Sequence, residues 1–122
     1  MKAFELKQIG PVLLIVPSEK ELLHRDRINL ISDELSQYVG QHKPKQVVYS
    51  LKQVAKYSSQ AIGGLVFLVR QIRAYGGQMK LCMGKDIRTL FQVAGLDGTL
   101  FEIYDNESDC VASFFEHGKD IM

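Results

Sequence analysis

Residues 46–83 read QVVYSLKQVAKYSSQAIGGLVFLVRQIRAYGGQMKLCM, and this stretch decides the fold class. Its opening, 46–51, is a short apolar run rich in β-branched and aromatic side chains, the composition of a strand. After a polar interval, Ser58 or Ser59 offers a hydroxyl to cap a helix. Ile62, Leu65, Val66, Val69 and Ile72 then recur at helical spacing and make an apolar stripe. Arg70 and Arg73 fall towards the C-terminal half of that helix, where its dipole favours cations. Gly76-Gly77 ends it, and 78–83 returns to a strand pattern. A strand, a crossover helix and a second strand make a βαβ unit with its strands parallel.

Outward from this unit the pattern repeats. Upstream, 4–9 and 12–16 read as strands joined by a turn at Gly10-Pro11, and 18–25 is polar and irregular apart from Leu22 and Leu23. A first helix is expected from Asp26, whose carboxylate can cap it. Ile28, Ile31, Leu35, Tyr38 and Val39 share one face, and Gly40 is the expected stop. Downstream, Asp86 is expected to cap a short helix bearing Ile87, Leu90, Phe91 and Ala94. Gly95 takes its left-handed end position, and Leu96 folds back onto it. A last strand at 100–104 and a terminal helix opening at Asp105 or Asn106, with Val111, Phe114 and Phe115, complete the chain.

The expected fold is therefore α/β, one domain over 1–122, with a mixed, mostly parallel sheet of about five strands. Each βαβ crossover should be right-handed. Ser50 and Lys52, Lys80 and Cys82, and Glu102 and Tyr104 alternate with larger apolar residues. Strands covered on both faces read as near-continuous apolar runs. The helices are thus expected mainly on one face, leaving the other partly wet.

Composition narrows the function. The chain has 122 residues, enough for a real core, and a formal net charge of +1, which gives no footprint for nucleic acid. Lysines and arginines look scattered, with no long run of like charge. The strongest apolar run near the N-terminus, 12–16, is too short to span a membrane and lacks a signal-peptide layout, so a cytoplasmic protein without membrane insertion is expected. Cys82 and Cys110 lack metal-ligand spacing and disulfide density; Cys82 is expected as a small buried hydrophobe. His24, His42 and His117 lie in polar contexts without partners at metal spacing. No nucleophile elbow, phosphate loop or dinucleotide fingerprint is present, and Asp33-Glu34 reads as solvated charge. No catalytic residue, metal or cofactor is expected, and the chain is not expected to be an enzyme.

One anomaly remains. Gly63 and Gly64 lie inside the second helix, where each glycine costs about 1 kcal/mol relative to alanine. This turn packs closely against a neighbouring element, a partner's backbone approaches it, or both hold.

Taken in order, Val47-Val48-Tyr49-Ser50-Leu51, Ser58-Ser59-Gln60-Ala61-Ile62-Gly63, Gly76-Gly77, the strand at 79–83 and Leu90-Phe91-Gln92-Val93-Ala94-Gly95-Leu96 resemble the core of the STAS family. That family includes bacterial anti-sigma-factor antagonists and the tails of sulfate transporters. The resemblance implies a right-handed (βα) superhelix and a protein-binding role in partner switching that controls transcription. The implied partner is a kinase-type anti-sigma factor, held at the start of the second helix by Tyr57, Ser58, Ser59, Gln60, Ala61, Ile62 and Gly63, with Lys56 flanking.

In the family a D-S-S-G motif opens this helix, and phosphate on its second serine releases the partner through added charge. Counting back from Gly63 and Gly76 without a gap puts Gln60 at the acceptor position and Ala61 at the family glycine. A one-residue shift puts Ser59 at the acceptor position instead. Leu22-Leu23 likewise stands where the family has Leu-Asp. The expectation is partner binding without the usual serine switch. Alternatives are a scaffold subunit of a stress-sensing assembly or of a lipid-trafficking ABC transporter, and a small-ligand sensor.

Overall fold

The computed structural model describes the backbone of residues 4–120 and the side chains of residues 4–115. Strands β1 (Phe4–Ile9) and β2 (Val12–Pro17) lead to a two-residue β3 (Glu21–Leu22) and helix α1 (Arg25–His42). Then come β4 (Gln46–Ser50), a two-residue β5 (Lys56–Tyr57), α2 (Ser59–Ala74), β6 (Gln78–Cys82), α3 (Lys85–Val93), β7 (Ile103–Tyr104) and α4 (Glu107–Asp120). The main sheet has five strands in the order β1-β2-β4-β6-β7. β1 and β2 form an antiparallel hairpin, and every later pairing is parallel. Each strand–helix step thus advances one place in the same direction, the mixed and mostly parallel sheet that the pattern predicts.

The pleat of β4 separates two cores. Val47, Tyr49 and Leu51 join Leu13 and Ile15 beneath α1, α2 and α3 in the larger one. Val48 faces the other way, with Val12, Leu14 and Cys82, against Cys110, Val111 and Phe114 of α4. Three helices lie on one face. The second face is drier than the strand alternation implies, because α4 covers it at β4 and β6: Ser50, Lys80 and Cys82 are all buried. Ser50 donates to Glu107 Oε2. The Lys80 ammonium lies 2.8 Å from Ser113 Oγ, 3.2 Å from Glu102 Oε2 and 4.4 Å from the Phe114 ring centroid. A buried ammonium satisfied this way is tolerated where a bare one would not be.

Several boundaries differ from the sequence reading for local reasons. α1 begins at Arg25 with His24 in the cap position and no side-chain cap, so Asp26 sits in the first turn, where its charge still favours the helix dipole. Gly40 lies inside α1, which runs on to His42 and ends at Lys43 in the left-handed conformation (φ 47°). Gly84, not Asp86, is the cap residue of α3. Asn106 does cap α4, its side-chain oxygen accepting from the Asp109 N–H at 2.8 Å. β7 is only two residues long because Gly98 turns the chain at positive φ and Gly98 N–H bonds the Phe101 carbonyl instead of a strand.

Two helix ends are closed as expected. Gly76 and Gly95 both have positive φ, and Gly77 N–H bonds Ile72 O as Leu96 N–H bonds Phe91 O. These are six-to-one closures that satisfy carbonyls otherwise left open.

The two cysteines are free and buried, and burial pushes their thiols up, Cys82 to about 11 and Cys110 to about 12. Between the usual thiol value of 9.0 and those values, the unfolded chain releases protons that the native chain keeps. The stabilisation is complete below that lower value and is lost as pH rises through the native ones. Denaturant midpoints are therefore expected to fall between pH 8 and pH 10.5. Iodoacetamide should label both thiols at least about tenfold more slowly in buffer than in urea.

Candidate protein-interaction site

The start of α2 is held from the inside. Ser58, extended at the cap position, accepts from Ala61 N–H through Oγ at 3.2 Å and donates its own N–H to Leu22 O. The β3–β5 ribbon, with Leu22 opposite Tyr57, brings this cap beside the start of α1. A two-residue ladder carries no periodicity, so nothing in 18–25 marks it beyond the apolar Leu22, which is buried.

Tyr57, Ala61 and Ile62 are buried in the larger core and do not face solvent. The Tyr57 hydroxyl donates to Ala61 O at 3.2 Å, and its ring stacks over Phe91 at 6.2 Å. Desolvation, helped by nearby Tyr49, holds its phenol well above the usual range, so it stays neutral. These three residues support the surface from beneath. The surface itself consists of Lys56, Ser59, Gln60 and Gly63, all exposed. Lys56 makes a long 3.7 Å ion pair with exposed Glu21, worth little in water. Gln60 reaches Asn29 of α1 at 3.4 Å.

The adjacent glycines serve different ends. A Cβ on Gly64 would stand 2.6 Å from Ser32 Oγ, so here α1 and α2 touch. A Cβ on Gly63 would meet nothing within 4 Å. The packing explanation therefore accounts for Gly64 alone, and Gly63 leaves bare helix backbone facing outward. The helix–helix contact continues one turn on, where Ser36 Oγ donates to Gln71 Oε1 (2.9 Å) and Gln71 Nε2 donates to Ser36 O (2.9 Å). On the next turn of α1 a Cβ on Gly40 would stand 3.5 Å from Gln71 Nε2, an ordinary contact.

Sequence reasoning missed Phe67. It lies one turn beyond Gly63, outside the apolar stripe, and is 63 % exposed. The available signal was an aromatic residue about a third of a turn away from the stripe. Between α1 and α2, beside Phe67, a cavity of about 20 Å³ is lined by Ser32, Tyr49 and Tyr57 among apolar groups. It has room for about one water, far below the roughly 300 Å³ of an ordinary small-molecule site.

His24 and His42 are exposed, and the His42 ring stacks on Tyr38; the side chain of His117 lies outside the described residues. Among the described residues no group of three or more His, Cys, Asp or Glu is placed to hold a metal, and no helix is long and apolar enough to cross a membrane.

The two glycines separate in a stability measurement. Gly63→Ala should raise unfolding free energy by about 1 kcal/mol, since it gains helix propensity and displaces nothing. Gly64→Leu should lower it by about 1–3 kcal/mol by wedging α1 from α2. Urea denaturation of both variants checks this; equal shifts would refute the distinction.

The chain matches the STAS domain over residues 3–110. Its structure is similar to that of a candidate anti-sigma factor antagonist from Thermotoga maritima, at 19% identity and TM-score 0.78, covering 90% of this chain and 92% of that one. The anti-sigma factor antagonist SpoIIAA in its unphosphorylated form aligns at 18% identity and TM-score 0.74, over 93% of this chain and 97% of SpoIIAA. An anti-sigma factor antagonist from Mycobacterium paratuberculosis gives 18% and 0.70, over 90% and 91% of the two chains. At such identities these likenesses speak to the fold. No curated protein matches the sequence. With the family match covering most of its length, and a fold shared with these structures, the chain belongs to the STAS domain family.

Proposed function

We propose that this chain is a protein-binding regulator of the anti-sigma-factor-antagonist kind. It engages a kinase-type anti-sigma factor through the outward face of the first turns of α2, without a serine switch. The observation that carries this reading is the exposed, uncharged start of α2, where Ser59, Gln60 and Gly63 face solvent on a rigidly capped helix with no acid in its first turn. Preformed caps and a buried underside lower the ordering cost of binding there.

Absence of the switch rests on side-chain chemistry. The Ser58 hydroxyl is engaged in capping. In the gapless register the family acceptor position is Gln60, whose amide cannot take a phosphoryl group. Ser59 is exposed and stays neutral in this reading.

The experiment is an affinity pull-down from the native cell, read by mass spectrometry, with the natural chain beside Gly63→Arg. That variant fills open space and so keeps the fold, whereas a change at buried Ile62 would not. Recovery of a kinase-type anti-sigma factor by the natural chain alone, at least about tenfold enriched over the variant, is the expected result. Transporter subunits, or the same catch with both baits, would overturn it. Phosphate on Ser59 after incubation with that kinase and ATP would overturn the unswitched part alone.

A further inference from the structure

The charges of the chain are segregated along the sequence. Residues 35–85 hold eight Lys and Arg and no Asp or Glu, while the rest hold seven and fourteen. The segment from the middle of α1 to the start of α3 therefore carries +8 and the remainder −7, which a formal net charge of +1 conceals.

Within that basic segment, the outward row of α2 is Gln60, Gly63, Phe67 and Arg70, spaced by three, four and three residues and all exposed. Exposed Lys56 stands before it, and exposed Arg73 lies one turn after Arg70. Among the described residues no ion pair reaches Arg70 or Arg73, and Lys56 has only its distant Glu21. Among the described residues the three acids of α1, Asp26, Asp33 and Glu34, make no ion pair with this row. An exposed aromatic ring beside bare backbone, with arginines that make no ion pair along the same row, combines an anchor, a place for close approach and positive charge.

We infer that the outward row of α2, from Gln60 to Arg70, docks an acidic, apolar-faced helix of a protein partner, with Phe67 as the anchor and Gly63 as the point of closest approach. This rests on the reading that α2 is the partner-binding element, and it extends the contact two turns beyond the first turn. Unlike charges steer the partner in, and the Phe67 ring supplies the apolar area that charge alone lacks.

Two amphipathic helical peptides of 21 residues test it, sharing one leucine face and differing only in carrying Glu or Lys on the flanks. Titrated into the ¹⁵N-labelled chain, the Glu peptide should shift amide signals of 59–70 and bind at least about fivefold more weakly to Phe67→Ala and to Arg70→Glu. Its affinity should fall as salt is raised from 50 to 300 mM. Thermal melts of both variants, at exposed positions, should match the natural chain.

Equal binding of the Lys peptide, shifts mapping away from α2, or affinity untouched by both substitutions would overturn the proposal. So would self-association of the chain that Phe67→Ala abolishes, because the occupant would then be a second copy. The pull-down above is independent. An anti-sigma factor captured there, with no discrimination between the peptides here, would sink the acidic docking row and spare the functional reading. The opposite pair of results would do the reverse.

Discussion

The close contact between α1 and α2 is the constraint on which the rest of this structure depends. At Gly64 the two helices come together so tightly that a methyl group would collide with the Ser32 hydroxyl. One turn further on, Ser36 and Gln71 exchange two hydrogen bonds, which fix the sliding register of one helix on the other. Right-handed crossovers that advance in one direction put α1 and α2 on the same face of the sheet, and a glycine at their contact lets them pack side by side there. Rotation of α2 about its axis is thereby settled. Ala61, Ile62, Leu65, Leu68, Val69 and Ile72 go inward, and Gln60, Gly63, Phe67 and Arg70 must go outward.

Much of this was legible from residue type and spacing. The apolar stripe of α2, the left-handed glycines at 76 and 95 and the capping serine were each readable, because each is a local rule with a local cause. What escaped were features that depend on partners distant in sequence. The β3–β5 ribbon exists because α1 and α2 begin side by side, and two residues cannot announce it. Lys80 looked like a solvent-facing strand position; it is buried because α4 crosses β4 and β6 and supplies Ser113 and Phe114. Gly63 and Gly64 look identical in sequence, and only the position of Ser32 tells them apart. The proposed interaction surface was half legible: its Ser59, Gln60 and Gly63 face solvent, whereas Tyr57, Ala61 and Ile62 build the floor beneath it. The charge segregation was open to inspection all along, hidden by a near-zero total.

Burial of polar groups follows the same economy in both cores. The Tyr57 phenol, the Lys80 ammonium and the Ser50 hydroxyl each lie in the interior with a partner in hydrogen-bond reach. Only the Gln46 side-chain oxygen, among the described residues, is buried without one. A network satisfied this fully favours one arrangement of helices over near alternatives, since any slippage would strand a polar atom in an apolar setting.

The pleat that divides the interior in two has an energetic corollary. α4 meets the sheet through its own small cluster around Cys110, Val111 and Phe114, and no residue of α1, α2 or α3 belongs to that cluster. Detaching α4 thus breaks one compartment and leaves the other closed, a partial opening whose free energy is set by few side chains. The two sides of the sheet are packed as separate clusters joined by shared strands. A substitution on the α4 side therefore meets no side chain of the face that α2 presents.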